Sequence, residues 1–296
     1  MGAVRQGRML PYILLSPLVV FIGALSFIPT VDTTVEAFFR VMPLDPPARF
    51  TGLGNFRALF ADPVIITSWV NTAVYVAIGV VASVVLGTAM AVALKQSFRL
   101  RGVILALVIL PWALPAVVEA VIWSWIYNPT FGVLNSALHS AHAIGGYHVW
   151  LGLDRWLTIL LIEIVQVWQI TPLSALVILA ALQSVPQDLY EAARVDGAGP
   201  WRTFWKVTFP ILRPVFLVLA LLSTIWDFGM FTQAYIVTGD LGNRDEYNLG
   251  LYEYSQAFTQ PPHYGLASAA AFVLTIILLI VTVGYVRAAI KQGSLA

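Results

Sequence analysis

Residues 190–214 read YEAARVDGAGPWRTFWKVTFPILRP, and they join two long apolar runs. Just upstream, Ser184 and Gln187 have capping-box spacing, and Asp188 follows where the helix dipole favours an acid. A short helix is expected over about 185–195, with Val185, Leu189, Ala192 and Ala193 towards one side. Gly197 is placed to end it in the left-handed conformation. Gly199-Pro200 then opens a second helix with proline at its first position. On that helix Trp201, Phe204, Trp205 and Thr208 share a face, and Arg202 and Lys206 point elsewhere. Pro210 and Pro214 bracket the entry into the next apolar run. The segment 184–213 therefore reads as a helix–turn–helix at a membrane surface.

The runs on either side are the reason for invoking a membrane. Only 10% of the 296 residues are charged and 59% are hydrophobic, whereas a soluble domain carries about 25% charged residues. Charge-poor stretches predict spanning helices at about 10–31, 67–94, 103–126, 157–182, 214–238 and 265–286. Each has the roughly 20 residues that a hydrocarbon core about 30 Å thick requires. The expectation is all-α: a polytopic membrane protein of six transmembrane helices in a single domain over 1–296.

Charge sets the expected orientation. Eleven Lys and Arg fall in the N-terminus, 95–102, 183–213 and the C-terminus, and five in 39–66, 127–156 and 239–264. The positive-inside rule puts both termini in the cytoplasm, with Ser97 and Thr203 inside and Ser140 outside. Trp69, Trp123, Trp125, Tyr127, Trp150, Trp156 and Tyr235 gather near the outer ends, as an aromatic belt would. With no Cys, disulfides, thiolate zinc sites and cysteine nucleophiles are excluded. A net charge of +1 argues against a nucleic-acid partner. None of the three lysines (Lys95, Lys206, Lys291) lies in a phosphate-binding Gly-x-x-x-x-Gly-Lys loop.

Within 190–214, Glu191-Ala192-Ala193, Asp196-Gly197-Ala198-Gly199, Phe204, Phe209-Pro210 and Pro214 closely resemble the EAA motif of permease subunits of binding-protein-dependent ABC importers. Phe50-Thr51-Gly52-Leu53-Gly54-Asn55-Phe56, Asn71-Thr72, Leu110-Pro111-Trp112, Trp125-Ile126-Tyr127-Asn128-Pro129 and Gly132-Val133-Leu134-Asn135 resemble motifs of its carbohydrate-uptake branch. The resemblance covers about residues 10–290 and is strongest to the subunit that pairs with a second, different permease in maltose-like and glycerol-phosphate-like importers. It implies a type I importer permease in a bacterial inner membrane, itself not an enzyme and binding no cofactor. ATP and Mg would be used by a cytoplasmic ATPase dimer, and an extracytoplasmic solute-binding protein would deliver a sugar. The EAA segment would be the coupling helix, with Tyr190, Glu191, Ala192, Ala193, Asp196, Gly197, Ala198 and Gly199 at the ATPase interface. Glu191 there offers charge-assisted contacts to a basic group.

Three carboxyl groups lie inside expected spans, where ionisable side chains face cavities or partners. Helical spacing puts Trp112, Glu119 and Trp123 on one side of the third span. It aligns Glu163 and Gln166 with Ile170 on the fourth, with Gln169 on the flank, and Ser223, Thr224, Asp227, Met230 and Phe231 on the fifth. Carboxylates and amides beside aromatic rings suit a sugar's hydroxyls and C–H faces. The expected substrate pathway is Trp112, Glu119, Trp123, Glu163, Gln166, Gln169, Thr224, Asp227 and Phe231, with the three carboxyls standing singly, Asp227 near mid-span and the two glutamates in the outer half. His139, His142 and His148 read as solvated loop residues rather than a metal site. The alternatives are a secondary transporter, with more helices and broken spans, and a lipid-linked transferase, with acids or histidines clustered at one face.

Overall fold

A computed structural model describes residues 3–96, 99–259 and 261–291; Ser97 lies outside them. Helices dominate, in two compact units: Met1–Asp62 with Glu253–Thr275, and Pro63–Tyr252 with Ile276–Ala296.

In the first unit α1 (Ala3–Ile22) runs through a π-helical turn at Gly23–Phe27 into α2 (Ile28–Glu36). The turn precedes Pro29, which has no N–H for an ordinary helical bond. The helix thus extends past the expected end at 31. Its apolar side chains from Tyr12 to Val35 are mostly exposed, a surface suited to lipid or a partner subunit. Two short strands follow, β1 (Phe39–Arg40) and β2 (Arg49–Phe50), antiparallel with Phe39 opposite Phe50. Asn55, on α3 (Gly54–Ala61), donates to the carbonyls of Ala37 and Phe39 at 2.9 and 2.8 Å. Phe38, Phe56 and Phe272 pack as one aromatic cluster. The Phe50–Phe56 motif is thereby a folding device around the strand pair.

The second unit is organised on α4 (Pro63–Lys95), a helix apolar on nearly every side. Its buried residues Asn71, Tyr75, Gly79, Ser83, Gly87 and Ala91 recur at helical spacing. This small-residue stripe lets α8 (Arg155–Gln183) and α11 (Phe209–Phe228) approach closely. A Cβ on Gly87 would lie 2.7 Å from Ser174 Cβ. Towards one end of the bundle, Ala91, Leu94, Ile178, Leu182, Val185, Leu212 and Phe216 form a continuous core.

Two expected spans are broken. The run 103–126 is α5 (Arg101–Ala113) and α6 (Ala116–Ile126), bent by 95°. Pro115 drives Leu114 out of the helical region, to ψ 139. The run 214–238 is the end of α11, a break at 229–231, and α12 (Thr232–Thr238). Asn248 locks that break by donating to the carbonyl of Met230 at 2.6 Å. Irregular backbone of this kind survives at membrane depth only where protein buries it or a cavity borders it.

The loop after α6 turns on Asn128 and Asn135. Asn128 Oδ1 accepts from the backbone N–H groups of Thr130 and Phe131. Buried Asn135, on α7 (Val133–Ser140), donates to the carbonyl of His148 and accepts from the His148 N–H and Trp150 Nε1. His139 packs on Tyr147 and His148 on Trp150. Asn71 donates to the carbonyls of Asp245 and Tyr247, and Thr72 Oγ1 accepts from Leu249 N–H. That anchors the chain before α13 (Leu249–Phe258). The last helix, α14, covers Tyr264–Lys291.

Candidate functional site

Two regions collect the residues singled out from the sequence. The first is the exposed turn. The helix α9 runs from Gln187 to Val195, not from about 185. Pro186 occupies the N-cap position, at φ −56° and ψ 134°, and has no side-chain acceptor, so no capping box forms there. The Ser184 hydroxyl instead donates to the carbonyl of Ala181. The far end of α9 is as expected. Gly197 has φ 72°, with Gly197 N–H bonded to the Arg194 carbonyl and Ala198 N–H to that of Ala193. This pair of bonds is a Schellman motif. Gly199 then caps α10 (Pro200–Thr203), with Pro200 at its first position.

No second turn separates α10 from the span. A π-helical turn at Phe204–Thr208 carries it directly into α11, with the Phe209 N–H bonded to the Phe204 carbonyl. The longer register accommodates Pro210, which has no N–H to offer. Pro200–Phe228 is consequently one continuous lever. Trp201, Trp205, Phe209 and Phe216 form a ladder of ring contacts along it at 4.9–5.7 Å.

Tyr190 ties α9 to this lever, its hydroxyl 3.3 Å from Thr208 Oγ1 and its ring under Lys95 Nζ. Glu191, Ala192, Asp196, Gly197 and Gly199 are exposed, and Ala193 and Ala198 half-buried. The segment thus presents an acidic, glycine-tipped edge on a rigidly attached helix.

The second region is a cleft of about 370 Å³ at the α11–α12 break. Trp112, Gln166, Gln169, Trp226, Phe231 and Gln233 line it. Trp112 and Glu119 do not share a helix face as expected, because the bend at Leu114 separates them. Trp112 reaches the cleft from α5, and Glu119 lies buried behind it on α6. Trp123 is directed elsewhere, onto Trp168 and Tyr127. Thr224 turns its hydroxyl to the Ala220 carbonyl of its own helix.

Gln233 was not anticipated, yet it is central. Its Nε2 donates to Glu119 Oε1 at 2.8 Å and to Gln169 Oε1 at 3.3 Å. Gln169 Nε2 in turn donates to the Leu114 carbonyl. With both its protons engaged, Gln233 leaves its carbonyl oxygen as the group to offer a guest. A polar residue shortly after Gly229 in an apolar run was the available signal.

The carboxyls also depart from the single placement expected. Glu163 and Asp227 are fully buried against the same glycine of α4. A Cβ on Gly79 would lie 2.3 Å from Asp227 Oδ2 and 2.6 Å from Glu163 Oε1. The two oxygens are therefore within about 5 Å, in the range where like charges interact strongly. Gln166 stands beside Asp227 and also lines the cleft.

A bundle with broken spans, an amide-and-aromatic cleft and an exposed glycine-capped lever describes a transport subunit. Residues 83–293 match the family described as binding-protein-dependent transport system inner membrane component, and the chain belongs to it. It is a multi-pass inner-membrane permease subunit of the ABC importer type. It is 30% identical to the diacetylchitobiose uptake system permease protein DasB of Streptomyces coelicolor, over 98% of this chain and 90% of that protein. Identity to the trehalose/maltose transport system permease protein MalF of Thermococcus litoralis is 31%, over 94% and 92%. A chain of the crystal structure of a bacterial ABC transporter importing the acidic polysaccharide alginate superposes with a TM-score of 0.78. It covers 97% of this chain and 96% of that one at 20% identity, a likeness of fold.

Proposed function

We propose that this chain is one of two different permease subunits of an importer that moves a sugar or sugar derivative into the cytoplasm. The observation that carries the reading is the cleft, where three glutamine amides face two tryptophans and a phenylalanine. Hydroxyl-rich guests with apolar ring faces fit such a surface. The names of the relatives DasB and MalF support the same substrate class.

ATP hydrolysis, with Mg, belongs to a separate ATPase dimer, and a solute-binding protein delivers the sugar from outside. The edge from Tyr190 to Gly199 docks on the ATPase, and the continuous helix from Pro200 to Phe228 carries its displacement to the cleft at 229–231. The excess of Lys and Arg in 95–102 and 183–213 supports a cytoplasmic location for that edge and for both termini.

Broken helices also suit a secondary transporter, but an exposed, Schellman-capped lever has no task in one. Proteoliposomes holding the chain with its co-purifying subunits separate the two. Sugar accumulates only with ATP and loaded binding protein if the proposal holds. Uptake that follows an ion gradient without ATP identifies a secondary transporter.

A further inference from the structure

Electrostatics of the spans narrow the substrate class, on the reading of the cleft as the sugar site. No Lys or Arg occurs in 12–31, 64–94, 102–126, 156–182, 214–238 or 265–286. The ionisable acids and bases in those stretches are Glu119, Glu163 and Asp227, all of them acids. All three are fully buried behind the cleft: Glu119 is bonded to Gln233 and Asp227 to Gln166, both in its wall, and Glu163 meets Asp227 at Gly79. Arg155, at the start of α8, is engaged elsewhere: its Nε donates to Asn71 Oδ1 at 2.9 Å and its guanidinium lies over Trp156.

The same region is rich in carboxyl and amide oxygens. Both oxygens of Glu163 and Glu119 Oε2 have no hydrogen-bond donor among the described residues, and the donor beside Asp227 is Gln166. Gln166 Oε1, which has no partner among the described residues, belongs to a side chain that both borders Asp227 and lines the cleft. An anionic guest would find no positive charge in those stretches to pair with, where the dielectric is low and screening weak. A protonated amine would bring a positive charge close to the buried acids and N–H donors to the amide oxygens of Gln166 and Gln233, which border the cleft.

We propose that this site selects sugars by charge. A saccharide carrying a basic nitrogen binds best, a neutral one less well, and one carrying a carboxylate, sulfonate or phosphate is refused. The alginate importer shares the fold at 20% identity, so the fold itself leaves this selectivity to the side chains.

The test uses the assembled complex in lipid nanodiscs, without its binding protein. It is titrated with maltose, cellobiose, the β-1,4 glucosamine dimer and cellobiouronate. Fluorescence of Trp112 and Trp226 reports binding, with Trp112→Phe and Trp226→Phe assigning the signal. The glucosamine dimer should bind at least about ten-fold more tightly than cellobiouronate, with the neutral sugars between. Asp227→Asn and Glu119→Gln should each shrink that ratio, a readout that partial loss of folded protein does not move. Cellobiouronate binding as tightly as the glucosamine dimer overturns the inference while leaving the sugar site standing. So does a ratio unchanged in both variants. No response from any of the four sugars removes the sugar-site reading itself, and the inference with it.

Discussion

Gly79→Ala tests whether Glu163 and Asp227 meet on α4. The added methyl would sit 2.3 Å from Asp227 Oδ2, 2.6 Å from Glu163 Oε1 and 2.9 Å from Asp227 Cγ. Ordinary contact requires about 3.5 Å, so both carboxyls must retreat by about 1 Å in a packed interior. Overpacking of this kind costs about 1–3 kcal/mol. Helix propensity works the other way, since alanine is better than glycine by about 1 kcal/mol. Gly284→Ala isolates that gain, because a Cβ there meets nothing within 4 Å. The propensity gain is common to both variants and cancels, so they should differ by the overpacking cost alone, about 1–3 kcal/mol. Thermal denaturation of the purified complex, followed by size exclusion, should then separate them by roughly 2–10 °C. Removing the obstructing carboxyl in Gly79→Ala/Asp227→Ala should recover part of the loss, a coupling that independent sites do not show. Equal melting temperatures for Gly79→Ala and Gly284→Ala, with no coupling to Asp227→Ala, would refute the paired arrangement.

Asn135→Ala should destabilise the loop after α6 by about 2–3 kcal/mol, because the His148 backbone and Trp150 Nε1 lose their partner; faster hydrogen exchange across 133–150 checks it. Burial pushes the Glu253 carboxyl up from 4.5 to about 7. The folded state therefore binds its proton more tightly than the unfolded one. Protection of α13 should be greatest below pH 4.5, fall as pH rises through 7, and become flat in Glu253→Gln. In a chain without Cys, Thr203→Cys should react with an impermeant thiol reagent only from the cytoplasmic side and Ser140→Cys only from outside. The reverse pattern would invert the topology.

Local chemistry was legible wherever one residue determines one turn. Gly197 and Pro200 announced the end of α9 and the start of α10 because glycine takes positive φ without steric cost and proline alone lacks an N–H. Pro115 carried the same kind of information about the bend before α6, but an apolar run of spanning length masked it. The capping-box spacing at Ser184 misled because Pro186, between its two members, governs the backbone there.

What helical periodicity does not specify is which faces meet. It aligned Glu163 with Gln166 and Asp227 with Thr224, yet the convergence of Glu163 and Asp227 depends on Gly79, on a third helix. Gln233 joined the site through the break at 229–231, which carried it out of register with α11. The nine expected pathway residues accordingly separate. Trp112, Gln166, Gln169 and Phe231 reach the cleft, Glu119, Glu163 and Asp227 stand behind it, and Trp123 and Thr224 turn away.

Transmission through the glycine-capped turn is the central claim, and ATP turnover in reconstituted complexes carrying Gly197→Val or Glu191→Lys measures it most directly. A Cβ on Gly197 would touch nothing within 4 Å, so any effect of valine comes from holding φ at 72°. That conformation costs a non-glycine residue about 1–2 kcal/mol, and a β-branched one tolerates it worst. The strained turn would displace Glu191, and reversing the charge of Glu191 would oppose the basic group it meets on the ATPase. Neither change falls in an apolar span, so the helices should insert normally in both variants. Stimulation of ATP hydrolysis by loaded binding protein should be lost, together with sugar uptake. Normal stimulation and normal uptake in both variants would contradict the account.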